Sequence, residues 1–480
     1  MIRPEGKGPG RIEREVGTAA MLRNPLLVPD LRELIRAGET AALREFLADH
    51  HPANLAELIE DLGDDVGDAA LSLLPDRTRA EVMSYVEPDR QVRVVEAMPP
   101  IDAASLLHLM SHDDRAHLVN RLDENRVDGI LRHLAQAERE DIRRLASYEP
   151  GTAGAVMTTD YATLPPGSTV REALDRLRRE APDRETIDYS YVVDPHHKLV
   201  GIVPLKRLIL ARPLATIEEV MQRDVISGRV DEDREAVARK VDKYDLFAIP
   251  ILDASDMLVG IVTHDDAMDI LRQEQTEDIL AFGGVAADSN EDDEGNYWQG
   301  RVDSSVRRRI GWLLLLFLAG SITRWIIHSF DWVDKQLSGL EFDAFIPLLI
   351  GTGGNAGSQT VGTVIRGIAL NQIQPSDTLK VVWREALTGL VLGLLLGALG
   401  FLFAWQAEPD RPAFGLVIAL AILGICIWAN GIGALVPLLA KRFKIDPALV
   451  SAPLISTLVD TTGLFIFYSI AIVLLIRMAH

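Results

Sequence analysis

Asp460 is the residue whose type and place first suggest chemistry. It sits in the last long apolar run of the chain, where Lys and Arg are absent until Arg477. An ionisable group in such a run is costly to bury and by default marks an ion or proton route. The bland alternative is local capping or pairing inside a helix bundle. Upstream, residues 351–359 read Gly-Thr-Gly-Gly-Asn-Ala-Gly-Ser-Gln within another apolar run. Gly351, Gly353, Gly354 and Gly357 let backbones approach closely, which suits a packing seam. Asn355, Ser358 and Gln359 carry polar groups that lipid would leave unpaired. The segment therefore belongs where helices meet or where a hydrated path runs. With the carboxylate of Asp460, these residues suggest a membrane protein that handles cations.

The soluble part is acidic. Residues 303–480 hold 13 Lys and Arg against 11 Asp and Glu, so of the formal net charge of −21 the first 302 residues hold −23. Phosphate binding needs the opposite sign, which argues against a nucleic-acid partner. The acidic surface serves solubility or, since carboxylates suit hard ions, acts as a sink for divalent cations. The single cysteine, Cys426, excludes an internal disulfide and any Cys-based metal centre. The first residues lack the apolar core of a signal peptide, so the soluble region is expected in the cytoplasm.

The elements that position these residues follow from periodicity. Residues 1–25 are expected to be disordered. Residues 26–150 show apolar positions at three- and four-residue spacing (Leu55, Leu58, Ile59, Leu62; Leu106, Leu107, Met110). They are punctuated by Pro75, Pro88, Pro99 and Pro100, which favour helix starts. A stack of short helices, an acidic N domain, is predicted. Residues 151–272 repeat themselves: Val156-Met157, a helical stretch, Tyr191-Val192-Val193-Asp194 and Gly201-Ile202-Val203 correspond to Val220-Met221, a helical stretch, Pro250-Ile251-Leu252-Asp253 and Gly260-Ile261-Val262. This pair resembles tandem CBS modules, an α/β fold whose members often bind adenine nucleotides. The second copy ends Thr263-His264-Asp265-Asp266, which fits that use; the first ends Pro204-Leu205-Lys206-Arg207 and lacks the acid. Residues 273–302 form a connecting helix and linker, with a solvated acidic loop at 288–294.

Five apolar runs in 303–480 fit crossings of about 20 residues each: 310–328, 344–370, 383–405, 413–440 and 447–476. Arg307, Arg308 and Arg309, then Lys380 and Arg384, then Lys441, Arg442 and Lys444 fall on one side, which the positive-inside rule makes cytoplasmic. The N-terminus is then cytoplasmic and the C-terminus external. Five helices give few walls for a pore, so a symmetric dimer is expected.

This order of domains, with the 351–359 motif, Ala429-Asn430-Gly431, Asp446-Pro447-Ala448 and the segment from Ala452 to Asp460, resembles the MgtE family of bacterial magnesium channels and transporters over about residues 30–478. The resemblance implies an inner-membrane homodimer that is no enzyme, with Mg2+ both transported and regulatory. It places Asp460 in a pore on the dimer axis, where a pair of carboxylates would hold a hydrated ion, because magnesium sheds water reluctantly. Gly353, Gly354, Asn355, Gln359, Asn430 and Asp446 become further pore candidates. It also implies magnesium sensing by acids that ions bridge: Glu81, Asp113 and Asp114 in the helical domain, Asp245, Asp265, Asp266 and Asp269 in the CBS pair, and Glu274, Glu277 and Asp278 on the connecting helix. Bound ions would hold a closed form; without them the carboxylates repel and the pore opens, with ATP as a possible modulator. Two other readings compete. One is a coupled exchanger of Mg2+ with a monovalent cation. The other is a nucleotide-sensing regulator whose membrane part is only an anchor, against which the polar Asp460 and Asn430 argue.

Overall fold

The computed structural model describes residues 28–37, 39, 46–47, 50–181, 184–286, 302–336, 342–370 and 372–476. The readings of 1–25 as disordered and of 288–294 as a loop lie outside them. The chain divides into two compact units, Met1–Met268 and Asp269–His480.

The first unit begins with short helices: α1 (Val28–Ala37), α2 (Pro52–Leu62), α3 (Asp64–Leu73), α4 (Asp76–Met83), α5 (Pro88–Ala97), α6 (Pro100–Leu109), α7 (His112–Arg121), α8 (Glu124–Leu131) and α9 (Gln136–Leu145). Proline opens α2, α5 and α6 at the first helical position, where its missing N–H breaks no hydrogen bond. From α2 on, the helices pack on the one two steps along, α2 on α4, α4 on α6, α6 on α8, and in parallel α5 on α7 and α7 on α9. Two rows thus share one core through Leu55, Ile59, Leu71, Met83, Leu106, Leu107 and Leu118, all at most 1 % exposed. Arg90 ties the first turns of the stack. Its buried guanidinium donates to the Ile59 and Gly63 carbonyls, each at 3.0 Å, and to Asp68 at 2.9 Å. A Cβ on Gly67 would strike it.

Two three-stranded sheets follow. In one, β1 (Tyr161–Leu164) is parallel to β2 (Thr186–Val193), which is antiparallel to β3 (Leu199–Pro204); in the other, β4 (Gly228–Arg229), β5 (Ala248–Leu252) and β6 (Leu258–Thr263) repeat the pattern. The copies are exchanged about an internal pseudo-twofold. Thr158 pairs with Ile261 and Gln222 with Ile202. Met157 packs where a Cβ on Gly260 would be, and Met221 where one on Gly201 would be. Glycine in each Gly-Ile-Val strand is therefore a steric requirement of the partner copy's methionine. Helices α10 (Val170–Glu180), α11 (Leu205–Leu210), α12 (Ile217–Val220) and α13 (Arg234–Lys243) cover the sheets, and α14 (His264–Phe282) continues without a break from β6 into the predicted connecting helix.

The second unit holds α15 (Val302–Ser329), the short α16 (Asp331–Gln336), α17 (Phe342–Ala369), α18 (Thr378–Ala407), α19 (Pro412–Arg442) and α20 (Ala452–Ala471). Four of the segments are long and apolar enough to cross a membrane: 302–333, 375–407, 412–442 and 452–475. The fifth predicted crossing, α17, has 28 residues but carries the polar 351–359 motif. The directions of the helices nevertheless alternate. Contacts of Trp312 with Ser451 and Thr323 with Thr461 make α15 parallel to α20. Gly354 against Ser456 and Ser358 against Ala452 make α17 antiparallel to α20. Gly353 against Ile425 and Thr360 against Asn430 make α17 parallel to α19. Gly389 against Cys426 and Gly397 against Ala419 make α18 antiparallel to α19. This is the alternation that five successive crossings require, α17 included.

Candidate functional site

Asp460 lies midway along α20, with Ser456 one turn before it. Both face Gly354 of α17: a Cβ there would lie 3.3 Å from Asp460 Oδ1 and would strike Ser456 Oγ. Among the described residues the carboxylate has no hydrogen-bond or ion-pair partner. The local capping or pairing that would make it inert is thus not what the helix bundle offers. The glycines divide by role. Gly353 and Gly357 are buried seats for Ile425, Ile455 and Val459 of α19 and α20, and the carbonyl of Gly357 approaches Gly433, so they are a packing seam. A Cβ at Gly351 would meet open space. Asn355 and Gln359, one turn apart on α17, are exposed in the single chain, with Thr363 and Arg366 continuing the stripe. Asn430 is 2 % exposed and clasps two helices: it accepts from Thr360 Oγ1 at 2.6 Å and donates to the Cys426 carbonyl at 2.8 Å. Asp446 stands in the exposed turn between α19 and α20, before the helix that carries Asp460.

In the first unit the fold gathers acids from three places. Asp113 and Asp114 start α7, Asp265 and Asp266 start α14, and Glu185 precedes β2. Burial, then the charge of Asp266 and of its neighbours, pushes Glu185 up to about 7. Burial and facing acids likewise raise Asp113 and Asp266 well above the ordinary carboxylate range. Asp113 Oδ1 is buried without a hydrogen-bond partner, and Asp266 takes only the Thr263 hydroxyl, at 2.5 Å. Among the described residues no three acid, His or Cys side chains converge tightly enough to ligate a bare ion.

Beside this cluster sits a neutralised junction. Asp141 of α9 accepts from Arg115 and Arg144, at 2.9 and 2.8 Å, and from Thr159 at 3.0 Å, with His112 also at 3.0 Å. Burial opposes its charge, but these donors hold it well below the usual range.

Four of the sequence-derived acids, Asp113, Asp114, Asp265 and Asp266, are thus brought together. Glu81 and Asp269 are exposed and paired along their own helices with Arg77 and Arg272. Asp245 occupies an exposed turn at φ 49°. Glu274, Glu277 and Asp278 follow on α14 in the second unit. Glu185 was missed. It sits in a polar run with alternating charge, and nothing in its neighbours distinguishes it from a solvated surface. The nucleotide reading shifts as well: Asp265 and Asp266 face the acids, whereas a cavity of about 440 Å³ opens at the end of the first copy, lined by Asp188, Tyr189, Lys206, Ile209, Leu210 and Phe247.

Comparison with known proteins agrees with this layout. Residues 50–151 match the MgtE intracellular N domain, 153–213 and 217–273 match CBS domains, and 346–470 match the MgtE divalent cation transporter domain. The magnesium transporter MgtE of Thermus thermophilus is 37 % identical over 453 residues, 94 % of this chain and 98 % of that protein. That of Bacillus subtilis is 29 % identical over 91 % of this chain and 95 % of its own length. A crystal structure of the cytosolic domain of the Mg2+ channel MgtE in complex with ATP aligns with 51 % of this chain and 100 % of that one, at 38 % identity and a TM-score of 0.49. The chain belongs to the MgtE family of divalent cation transporters.

Proposed function

We propose that the protein carries magnesium across the bacterial inner membrane as a homodimer and that cytosolic magnesium closes it. The observation that carries this reading is the unpartnered carboxylate of Asp460, held against Gly354 in the middle of a membrane helix. A half-buried carboxylate within a membrane helix and without a protein partner needs a cation or water. A second copy supplies both the missing wall and a second carboxylate. The exposed stripe of Asn355, Gln359 and Arg366 supports this, because lipid satisfies none of these side chains. The exposed leucines of α15 and α18, among them Leu313, Leu318, Leu394 and Leu395, suit lipid. The arginines at the start of α15 set the first unit on the cytoplasmic side, and the five alternating helices then leave the C-terminus outside. The domain limits follow the same scheme: 26–150, 151–272, 273–302 and 303–480.

Regulation rests on the acids of the first unit. Their mutual repulsion falls when a divalent ion occupies the cluster, so the ion favours the compact arrangement by its differential affinity. Helix α14, whose first turn holds Asp265 and Asp266, continues to Phe282 in the second unit. The cavity beside Lys206 is the place we assign to ATP, with the ammonium for a phosphate and one aromatic face, Tyr189 or Phe247, for the base. The test is Mg2+ influx into proteoliposomes. Asp460→Ala is expected to lose influx while the protein remains folded and reconstituted; normal influx in that variant would end the pore assignment.

A further inference from the structure

Helix α14 ends in a way that reaches the membrane bundle. Gly284 adopts φ 73°. Its N–H bonds to the Ala281 carbonyl at 2.9 Å and that of Val285 to the Leu280 carbonyl at 2.9 Å, the two bonds of a Schellman stop. Left-handed backbone alone would favour glycine, but space demands it too, since a Cβ at Gly284 would strike Cδ1 and Nε1 of the Trp312 indole. The next residues stay docked: Ala286 N–H bonds to the Arg308 carbonyl at 3.1 Å, one turn before Trp312 on α15. The same indole edge faces a third element. Nε1 donates to Ser451 Oγ at 3.0 Å, and Ser451, fully buried, is the N-cap of α20, accepting from Leu454 N–H at 3.3 Å. Its neighbour Ala452 accepts from Ser358 of α17 at 3.2 Å. Asp460 follows nine residues after Ser451, about 13 Å along the helix.

We propose that Trp312 is a positioning residue that couples the end of the connecting helix to the helix carrying Asp460. With Gly284 against it, the indole is held in the orientation that reaches the cap of α20. When the connecting helix withdraws, the ring is free to turn, the bond to Ser451 is lost, and the start of α20 is released from both α15 and α14. This rests on the reading of the protein as a magnesium-inhibited transporter.

The test uses the full chain in proteoliposomes, with Mg2+ as the inhibitor on the cytosolic face. Trp312→Phe, which keeps a ring and loses the N–H, and Ser451→Ala should each raise the half-inhibiting Mg2+ concentration about threefold to tenfold, the effect of one hydrogen bond, with maximal influx at low Mg2+ retained. The double variant should shift no further than the larger of the two single ones, because the Trp312–Ser451 bond is removed only once. Trp325→Phe on the same helix, 68 % exposed, serves as the control. A second measurement reads docking without transport: thiol labelling of Val285→Cys, against a background in which Cys426 is buried, should accelerate at fixed Mg2+ when Trp312→Phe is added. An unshifted half-inhibiting concentration, an additive double variant, or an equal shift in the control overturns the coupling. If the parent shows no Mg2+ inhibition, the regulatory reading fails, and the labelling rate still decides the coupling: acceleration supports it and an unchanged rate overturns it.

Discussion

Glu185 shows how one residue changes meaning when its neighbours are known. In sequence it is one charge among many; in the fold it lies near enough to Asp113, Asp114, Asp265 and Asp266 for their charges to act on one another. Five like charges in a partly buried space make the arrangement self-opposing, and each charge removed reduces both the repulsion and the attraction for a cation. Glu185→Gln should therefore have a paired effect. Influx at low Mg2+ should fall, because the compact form no longer needs an ion to the same degree. The dependence on cytosolic Mg2+ should also flatten, because less affinity separates the two forms. Influx measured across a range of cytosolic Mg2+ checks both; a curve identical to the parent's would remove Glu185 from the sensor. Glu81, exposed and paired with Arg77, gives the contrast: Glu81→Gln should leave the curve in place.

At the level of elements, the membrane helices are held by absence of side chains. Gly389, Gly393, Gly397 and Gly400 line one face of α18 and let α19 approach until a Cβ at Gly389 would lie 2.5 Å from the Cys426 carbonyl and 2.9 Å from Ile427 Cα. Backbone cannot move aside as a side chain can, so Gly389→Leu should separate the pair and cost about 1–3 kcal/mol or more. Gly320→Ala, at a position with nothing within 4 Å, should be neutral or stabilise by about 0.5–1 kcal/mol through the unfolded chain. Thermal melting in detergent separates the two. The elements were legible in the sequence wherever one period dominated: the short helices of the N domain and the doubled β-α-β pattern appear as read, and four of the five apolar runs form helices long and apolar enough to cross a membrane. Two features were not. The 351–359 motif reads as a packing seam or the wall of a hydrated path, but the partners of the seam, Ile425, Ile455 and Val459 on two other helices, are not shown by the local sequence. Likewise α14 reads as the end of one module and the start of a connector, because the boundary between the units at Met268 and Asp269 falls inside a single helix. For the site, Asp460 and four of the cytosolic acids were legible by residue type; Glu185 and the clasp of Asn430 by Thr360 depend on partners 70 or more residues away in sequence.

For the molecule as a whole, the proposal that magnesium occupies the acid cluster makes protons and magnesium competitors for the same place. Glu185 is raised to about 7 and Asp113 and Asp266 are raised with it, because burial and facing acids oppose their charge in the compact arrangement. When the domains separate, the groups return toward ordinary carboxylate values near 4. Between these limits the compact arrangement binds more protons than the separated one, so its stability falls as pH rises. The contribution is complete below about pH 4 and is lost as pH climbs through about 7. The Asp141 junction runs the opposite way. Its carboxylate is held below the usual range, so its contribution is present at neutral pH and is lost only in strong acid, outside the working window. Without magnesium, protease cleavage of the soluble region in the full chain should therefore be slower at pH 6 than at pH 8. With saturating magnesium the difference should shrink, because the ion supplies at pH 8 what protons supply at pH 6. The apparent Mg2+ affinity should correspondingly weaken from pH 8 to pH 6, since each proton bound at Glu185 or Asp113 removes a charge that would attract the cation. Cleavage rates that rise on acidification, or a magnesium affinity indifferent to pH across this range, would show that the acids act separately and that the fold does not set them against one another.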